Sequence, residues 1–168
     1  MLPLHPATLD ADRLLDECDQ RFTRRSGPGG QHRNKVETAV ILTHRPTGLL
    51  AEANEERSQG KNREQALFRL RLLLALEVRR DPAESPSILW RTRCRGGKLS
   101  VNPTHGDYPA LLAEALDTIN AHRDDAKAAA EFLGCSTTQL INLLRDEPRA
   151  LASINARRVG QGLHAYRA

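Results

Sequence analysis

The stretch Thr38-Ala39-Val40-Ile41-Leu42-Thr43-His44 decides the fold of the N-terminal half of the chain. Its β-branched and apolar residues favour an extended strand. Pro46-Thr47-Gly48, which follows, is typical of a turn. Leu49-Leu50-Ala51-Glu52-Ala53 then predicts a returning strand, so residues 38–53 are expected to form a β-hairpin.

A long helix is predicted after this hairpin. Ser58 stands where an N-cap is expected, and the helical pattern continues from about residue 59 to residue 79. Apolar residues recur along this segment at helical spacing, at Ala66, Leu67, Leu70, Leu73, Leu74 and Val78. Three basic residues are predicted on the outer face, namely Arg63, Arg69 and Arg71. The apolar stripe is therefore expected to cover one face of the small sheet.

A glycine-rich loop at residues 24–35 precedes the hairpin. Residues 10–19 are predicted to form a short amphipathic helix, and Phe22-Thr23 a brief strand that leads into the loop. Gly29 and Gly30 can adopt positive φ and allow another molecule to approach the main chain closely. Residues 20–36 contain no acidic residue and five basic ones: Arg21, Arg24, Arg25, Arg33 and Lys35.

The C-terminal half follows a break at Pro82 and Pro86, which predicts two domains, residues 1–82 and 83–168. An irregular hairpin with a turn at Gly96-Gly97 is predicted for residues 87–102. Helices are then predicted over residues 111–121, from Asp124 or Asp125 to 133, from Ser136 to 145, and from Pro148 to about 159. Residues 129–144 resemble a helix-turn-helix pair.

Three features of this half leave its function open. Trp90 is expected to anchor an interface between modules, with stacking on a nucleic-acid base as the alternative. The helix-turn-helix pair is expected to be a packing unit, with nucleic-acid contact as the alternative. Residues 85–106 contain no acidic residue, which fits either a solvated face or a polyanionic partner. The basic residues of this run are four, namely Arg91, Arg93, Arg95 and Lys98.

Composition limits the classes of function. The 168 residues carry a formal net charge of +4, which suits a polyanionic partner. The three cysteines, Cys18, Cys94 and Cys135, lack metal-ligand spacing, so reduced thiols in the cytoplasm and no metal or cofactor are predicted. No apolar run approaches the roughly 20 residues of a membrane span, and the acidic N-terminal segment does not fit a signal peptide. A cytoplasmic monomer without membrane binding is expected.

The glycine-rich loop and the segments after it together resemble a known family. The matching elements are Ser26-Gly27-Pro28-Gly29-Gly30-Gln31-His32-x-Asn34-Lys35, Thr38-Ala39-Val40, Pro46-Thr47-Gly48 and Glu56-Arg57-Ser58-Gln59-x-x-Asn62. Over roughly residues 18–80 they resemble the peptidyl-tRNA hydrolysis domain of class I peptide chain release factors and the related small ribosome-rescue hydrolases. The resemblance implies an α+β fold, a small β-sheet covered by one long helix. Here a hairpin and an α-helical, helix-turn-helix-like C-terminal module follow it.

The resemblance also implies a chemistry. In this family a Gly-Gly-Gln loop enters the peptidyl transferase centre of the ribosome, where the ester joining the nascent peptide to tRNA is hydrolysed. The catalytic residues implied here are Gly29, Gly30 and Gln31. The main-chain N–H of Gln31 would stabilise the oxyanion or the leaving hydroxyl, and its side chain would orient water.

Residues around this tripeptide are implied to bind RNA or to support the loop. The basic residues that would contact rRNA phosphates are Arg24, Arg25, Arg33 and Lys35. His32 would stack on a nucleobase, with a general-base role as the alternative. The supporting residues would be Ser26, Gly27, Pro28 and Asn34. The expected partners are large-subunit rRNA and peptidyl-tRNA, and Arg57-Ser58-Gln59 is expected to be a capped helix start rather than a catalytic element.

A codon-reading domain is not predicted in the chain. Release factors that read stop codons need such a domain, with a Pro-x-Thr or Ser-Pro-Phe tripeptide. Codon-independent hydrolysis of peptidyl-tRNA, as in ribosome rescue, is therefore favoured, although the basic residues of the last segment do not form the basic tail of the best-known rescue hydrolases. The alternatives are a non-catalytic ribosome- or RNA-binding protein and a DNA-binding regulator that uses residues 129–144.

Overall fold

The computed structural model describes residues 4–24 and 37–167. They belong to two units, residues 1–74 and residues 75–168. The mixture of helices and small sheets is compatible with the predicted α+β class, and the predicted domain boundary at residue 82 stays a prediction. Within the described ranges, no helix combines the length and the apolar character needed to cross a membrane.

The sheet of the first unit has three antiparallel strands in the order β1-β2-β3, namely β1 (Cys18–Thr23), β2 (Ala39–His44) and β3 (Leu50–Ala53). The hairpin predicted for residues 38–53 is confirmed as β2 and β3. The strand predicted at Phe22-Thr23 proves longer, because pairing with β2 already begins at Cys18, opposite His44. The central strand is therefore paired on both sides.

The N-terminal segment contains a short helix. This helix, α1, spans Ala11–Asp16, and the Asp10 side chain caps it by accepting from the main-chain N–H of Arg13 at 2.9 Å. The prediction of a helix over residues 10–19 was too long, because the chain enters β1 at Cys18. Pairing with β2 thus ends the helix early.

One face of the sheet is apolar and buried. Directly opposed residues of antiparallel strands lie on the same face, and the opposed pairs Val40–Ala53 and Leu42–Ala51 are all buried. The long helix, α2, spans Gln59–Glu77. Its stripe includes the buried residues Ala66, Leu70 and Leu74, and the half-buried Leu67 and Leu73.

The described part of the second unit is mainly helical. Its elements are α3 (Ile88–Arg93), β4 (Cys94–Arg95), β5 (Lys98–Leu99), α4 (Tyr108–Ala121), α5 (Ala126–Leu133), α6 (Thr137–Arg145) and α7 (Pro148–Gly160). The buried face of α4 carries Leu111, Leu112 and Ile119, none of which is exposed. The four predicted helices of this half are confirmed, with ends that differ by a few residues.

The irregular hairpin predicted for residues 87–102 was partly wrong. Residues 88–93 are helical, because the Ser87 hydroxyl caps α3 by accepting from the Trp90 N–H at 3.0 Å. The hairpin is limited to β4 and β5. Its predicted turn is confirmed, since Gly96 and Gly97 have φ of 57° and 76°, the conformation that a tight two-residue turn requires.

The two helices and the turn predicted within residues 129–144 are confirmed. Gly134 ends α5 in the left-handed conformation with φ of 70°, where glycine is the favoured residue. Ser136 then caps α6, because its hydroxyl accepts from the Gln139 N–H at 3.2 Å. Leu140 and Leu143 are buried, so α6 is packed into the second unit.

Trp90 lies in the core of the second unit. Its side chain is completely buried, and its Nε1–H donates to the main-chain oxygen of Leu133 at 2.8 Å. This contact joins α3 to the last residue of α5. A fully buried indole cannot stack on a nucleic-acid base, so that alternative is wrong.

Replacing Trp90 with Phe should lower the free energy of unfolding by about 2 kcal/mol, because the buried Leu133 carbonyl loses this donor. Denaturant titration measures the change. Ile88 lies on the same helix and is 76% exposed, so Ile88→Ala is the control and should change stability by less than about 0.5 kcal/mol. Equal effects of the two substitutions would contradict the assignment of Trp90 to the core.

Candidate functional site

The ends of the glycine-rich loop are fixed side by side on the sheet. β1 ends at Thr23, β2 begins at Ala39, and these two residues are Cα partners in the antiparallel register. Such partners lie about 4.5–5.5 Å apart. The segment between them therefore leaves and rejoins the sheet at a single place.

Most predicted site residues lie outside the described residues. They are Arg25, Ser26, Gly27, Pro28, Gly29, Gly30, Gln31, His32, Arg33, Asn34 and Lys35. Their catalytic, RNA-binding and supporting roles stay predictions. The predicted site residue that the structure does describe is Arg24.

Arg24 forms an ion pair at the base of the loop. Its Nε lies 3.7 Å from Oε1 of Glu37, and the two side chains are 64% and 53% exposed. Exposed pairs of this kind contribute about 0–1 kcal/mol and are screened by salt. A polyanion can therefore compete with Glu37 for the guanidinium, which is compatible with the RNA-binding role predicted for Arg24.

Asn62 is the buried residue that holds the returning end of the loop. Its Nδ2 donates to the main-chain oxygens of Thr38 at 2.7 Å and Glu56 at 2.9 Å. Its Oδ1 accepts from the Glu56 N–H at 2.9 Å. Because the side chain is completely buried, its donors and its acceptor need these partners. Asn62 thereby joins the start of β2 to the chain that enters α2.

Gln59 adds a second contact to the same end of the loop. Its Nε2 donates to the Glu37 main-chain oxygen at 2.9 Å. Gln59 and Asn62 are three positions apart on α2, so their amides leave one face of the helix and reach consecutive residues of the returning chain. The loop base is thus tied to the first turn of α2.

The helix start at Ser58 has a further role that sequence reasoning missed. The predicted cap is confirmed, since the Ser58 hydroxyl accepts from the Lys61 N–H at 3.4 Å. The hold on residues 37 and 38 was not predicted. Its signal was the Gln59-x-x-Asn62 spacing at the start of a predicted helix, which places two amide side chains on one face.

Arg69 fixes the chain between β3 and α2. It donates to the Glu52 main-chain oxygen at 2.7 Å and to the Glu55 carboxylate at 2.8 Å. The hydrogen bond from Arg69 is the main reason why the pKa of Glu55 falls to about 2. Arg71 donates to the Leu9 main-chain oxygen. The prediction that these two arginines only occupy an outer face was therefore incomplete, since both anchor neighbouring main chain.

The end of the sheet opposite the loop is closed by His44. Its Nε2 lies 3.0 Å from Oε2 of Glu17, and its Nδ1 lies 2.7 Å from Oγ1 of Thr47. The main-chain N–H of Arg45 also donates to the main-chain oxygen of Glu17 at 3.0 Å. Contacts at both ends thus fix the register of β1 and β2, since a slip would break them.

The tripeptide Pro6-Ala7-Thr8 fits the Pro-x-Thr pattern of codon readers, although sequence reasoning passed over it. The structure forms a 3₁₀ turn here in which Pro6 and Ala7 are buried. The Thr8 hydroxyl donates to the His5 main-chain oxygen at 2.7 Å. The tripeptide is therefore built into the packing of the first unit.

The described residues supply a scaffold for the loop. Over residues 4–24 and 37–167, no cluster of three or more His, Cys, Asp or Glu side chains is arranged to hold a metal ion. The main positioning contacts are made by main-chain oxygens and neutral amides. The contribution of this part is to fix where the loop begins and ends.

Comparison with known proteins gives a consistent result. Residues 14–95 match the RF-1 domain. Peptide chain release factor 1 of Acidiphilium cryptum is 32% identical over 148 residues, which cover 86% of this chain and 41% of that protein. Peptide chain release factor 2 of Helicobacter pylori (strain Shi470) is 48% identical over 127 residues, which cover 66% of this chain and 35% of that protein.

A shorter segment of the chain is similar to another relative at higher identity. The chloroplastic peptide chain release factor PrfB1 of Arabidopsis thaliana is 52% identical over 75 residues, 44% of this chain and 16% of that protein. The chain spans less than half the length of these curated relatives. The similarity therefore identifies the domain rather than the whole activity of the relatives.

Replacing Asn62 with Ala should lower the free energy of unfolding by about 2–4 kcal/mol, because three part-buried hydrogen bonds to Thr38 and Glu56 are lost. In this variant, the amide hydrogens of residues 39–40 should also exchange faster than in the wild-type chain, whereas those of β3 should change less. The control is Gln65→Ala, since Gln65 is exposed on the same helix. Unchanged exchange at the start of β2 would contradict the holding role of Asn62.

Proposed function

The chain belongs to the peptide chain release factor family, and we propose that it hydrolyses the ester of peptidyl-tRNA at the ribosome. The match of residues 14–95 to the RF-1 domain supports this proposal, as do relatives named peptide chain release factor 1 and 2. The residues that would act are those of the glycine-rich loop, which the large ribosomal subunit would receive.

The proposed chemistry is attack of water on the ester carbonyl carbon. The main-chain N–H of Gln31 donates to the developing oxyanion or to the leaving hydroxyl of the tRNA, and the Gln31 side chain orients the water. Gly29 and Gly30 let the main chain approach the ester closely. The proton and the alkoxide combine to leave a free hydroxyl on the tRNA, so the overall reaction consumes one water.

The residues that flank the tripeptide bind RNA or support the loop. Cationic side chains contact rRNA phosphates without reading sequence, and they are Arg24, Arg25, Arg33 and Lys35. His32 stacks on a nucleobase. The loop itself is supported by Ser26, Gly27, Pro28 and Asn34. The partners proposed for the chain are therefore large-subunit rRNA and peptidyl-tRNA.

The observation that carries this proposal is the double hold on the loop base. Asn62 and Gln59 bind consecutive main-chain oxygens where the loop rejoins β2. A displacement of about 1 Å at a reacting group can cost about 100-fold in rate. A catalytic loop therefore needs a fixed origin, and α2 supplies it.

We also propose that release does not depend on the codon. The Pro6-Ala7-Thr8 tripeptide supports this, because Pro6 and Ala7 are buried and the Thr8 hydroxyl donates to the His5 main-chain oxygen. The chain would then act on ribosomes whose A site is empty. Ribosome rescue is the process that such an activity serves.

A DNA-binding role for residues 129–144 receives less support. The Gln139 side chain, which a DNA-binding role would require on the surface of α6, accepts the Leu99 N–H at 3.3 Å. The Asn142 side chain accepts from Arg145 at 3.1 Å. A non-catalytic ribosome-binding protein is the remaining alternative, and it predicts that Gln31 is dispensable.

Gln31→Ala should lower peptide release by at least about 100-fold without changing ribosome binding, because the side chain that orients water is lost. The assay measures release of labelled peptide from ribosomes with peptidyl-tRNA in the P site. Gln20→Ala is the matched control, since Gln20 is exposed on β1. Undiminished release by the Gln31 variant would favour the non-catalytic alternative.

The dependence on mRNA tests the second part of the proposal. Release should be equal with a stop codon and with a sense codon in the A site, and fastest when the mRNA ends at the P site. The comparison uses identical ribosomes with three mRNAs. The first has a stop codon in the A site, the second has a sense codon there, and the third ends at the P site. Release that requires a stop codon would show that the chain, or a larger protein containing it, reads codons.

A further inference from the structure

The short hairpin of the second unit carries an exposed group of cations. We use the name basic hairpin for Arg91 on α3 together with Arg95 on β4 and Lys98 on β5. All three side chains are exposed. No residue from 85 to 106 is acidic, so the local sequence supplies no carboxylate to neutralise them.

Four other arginines of this unit have carboxylate partners. The ion pairs join Arg79 to Asp117, Arg93 to Asp107, Arg149 to Glu147 and Arg157 to Asp124. For the three cations of the basic hairpin, neither an ion pair nor a side-chain hydrogen bond occurs with any residue that the structure describes. Other exposed cations of the unit, such as Lys127 and Arg167, also form no ion pair with a described residue, but the basic hairpin differs from them because Arg95 and Lys98 are paired on adjacent strands.

Two of these cations oppose each other directly. Arg95 and Lys98 are Cα partners across β4 and β5. Like charges at directly opposed positions destabilise a strand pair. This arrangement is unfavourable for the isolated fold, and an external polyanion would relieve it.

The basic hairpin is also held in a fixed position. The Leu99 N–H donates to Oε1 of Gln139 at 3.3 Å, and the Ser136 N–H donates to the Gly97 oxygen at 3.4 Å. A Cβ placed on Gly96 would meet no atom within 4 Å, so the turn itself is open. The side that faces α6 is therefore anchored, and the turn is accessible to another molecule.

We propose that the basic hairpin is a binding surface for the phosphate backbone of RNA. Closely spaced, uncompensated cations on a fixed support suit successive phosphates and need no base-specific contact. The choice of RNA over other polyanions rests on the function proposed above. The surface would add affinity for the ribosome at a place separate from the glycine-rich loop.

The salt dependence of RNA binding tests this inference. Fluorescence anisotropy with a labelled RNA duplex should show affinity about tenfold weaker for Arg95→Ala/Lys98→Ala than for the wild-type chain. The slope of log K against log salt should become shallower by roughly 1.4–1.8, since each of the two lost phosphate contacts contributes about 0.7–0.9. The matched control is Lys127→Ala/Arg167→Ala, which removes the same charge from exposed positions elsewhere in the unit. An equal loss in both variants would overturn the inference.

Lys98→Glu separates binding from stability. This substitution places opposite charges across the hairpin, so the melting temperature should stay the same or rise by about 1 °C. RNA binding should nevertheless weaken by more than tenfold, because a phosphate contact becomes a repulsion. A fall in melting temperature together with unchanged RNA affinity would assign the hairpin a purely structural role.

The release assay distinguishes this inference from the proposed function. The hairpin variants should raise the ribosome concentration needed for half-maximal release and leave the maximal rate unchanged, whereas Gln31→Ala should lower the maximal rate and leave RNA affinity unchanged. Hairpin variants with wild-type RNA affinity would overturn the inference even if Gln31 proves essential. Loss of RNA affinity in the hairpin variants would support it even if release is never observed.

Discussion

The three hydrogen bonds of Asn62 are the constraint on which the first unit depends. An amide with no exposed surface must find all of its partners inside the protein, because an unpaired buried polar group costs about 1–3 kcal/mol. Asn62 finds them at the start of β2 and in the chain that enters α2. The start of β2, the connection to α2 and the first turn of α2 are consequently held together by one side chain. The helix start and the loop base form a single structural element, although 24 positions separate Asn62 from Thr38.

Much of this architecture could be predicted from local patterns. Strand alternation, the caps at Ser58 and Ser136, and the glycines at 96–97 and 134 each depend on nearby residues, and the structure has them where they were expected. The helix at Ile88–Arg93 was missed, because its apolar start reads equally well as a strand until the Ser87 cap is weighed. The extension of β1 was also missed, because Asp19 and Arg21 are not typical strand residues and only pairing with β2 makes them so.

The site was harder to predict than the fold. The Gly-Gly-Gln tripeptide and the cations around it are recognisable in the sequence, but the contacts that hold the base of the loop at Glu37 and Thr38 depend on residues far away. Gln59 and Asn62 are such residues, and so is Arg69, whose target oxygen lies 17 positions earlier. Side-chain to main-chain hydrogen bonds of this kind produce no periodic pattern in the sequence. Asn62 does leave a signal, since it is a polar residue one helical turn before the buried Ala66, at a position where helical spacing predicts burial.

The junction of Thr23 and Ala39 separates the stability of the unit from the length of the loop. Once the sheet holds both ends, doubling the length of such a segment costs only about 0.6 kcal/mol of closure entropy. Folding alone would therefore tolerate insertions and deletions between these residues. Under the proposed function, the limit on the number of residues in the loop would come from the distance between the sheet and the ester that the loop has to reach. The dimensions of the ribosome, rather than those of the protein, would then set the length of this segment.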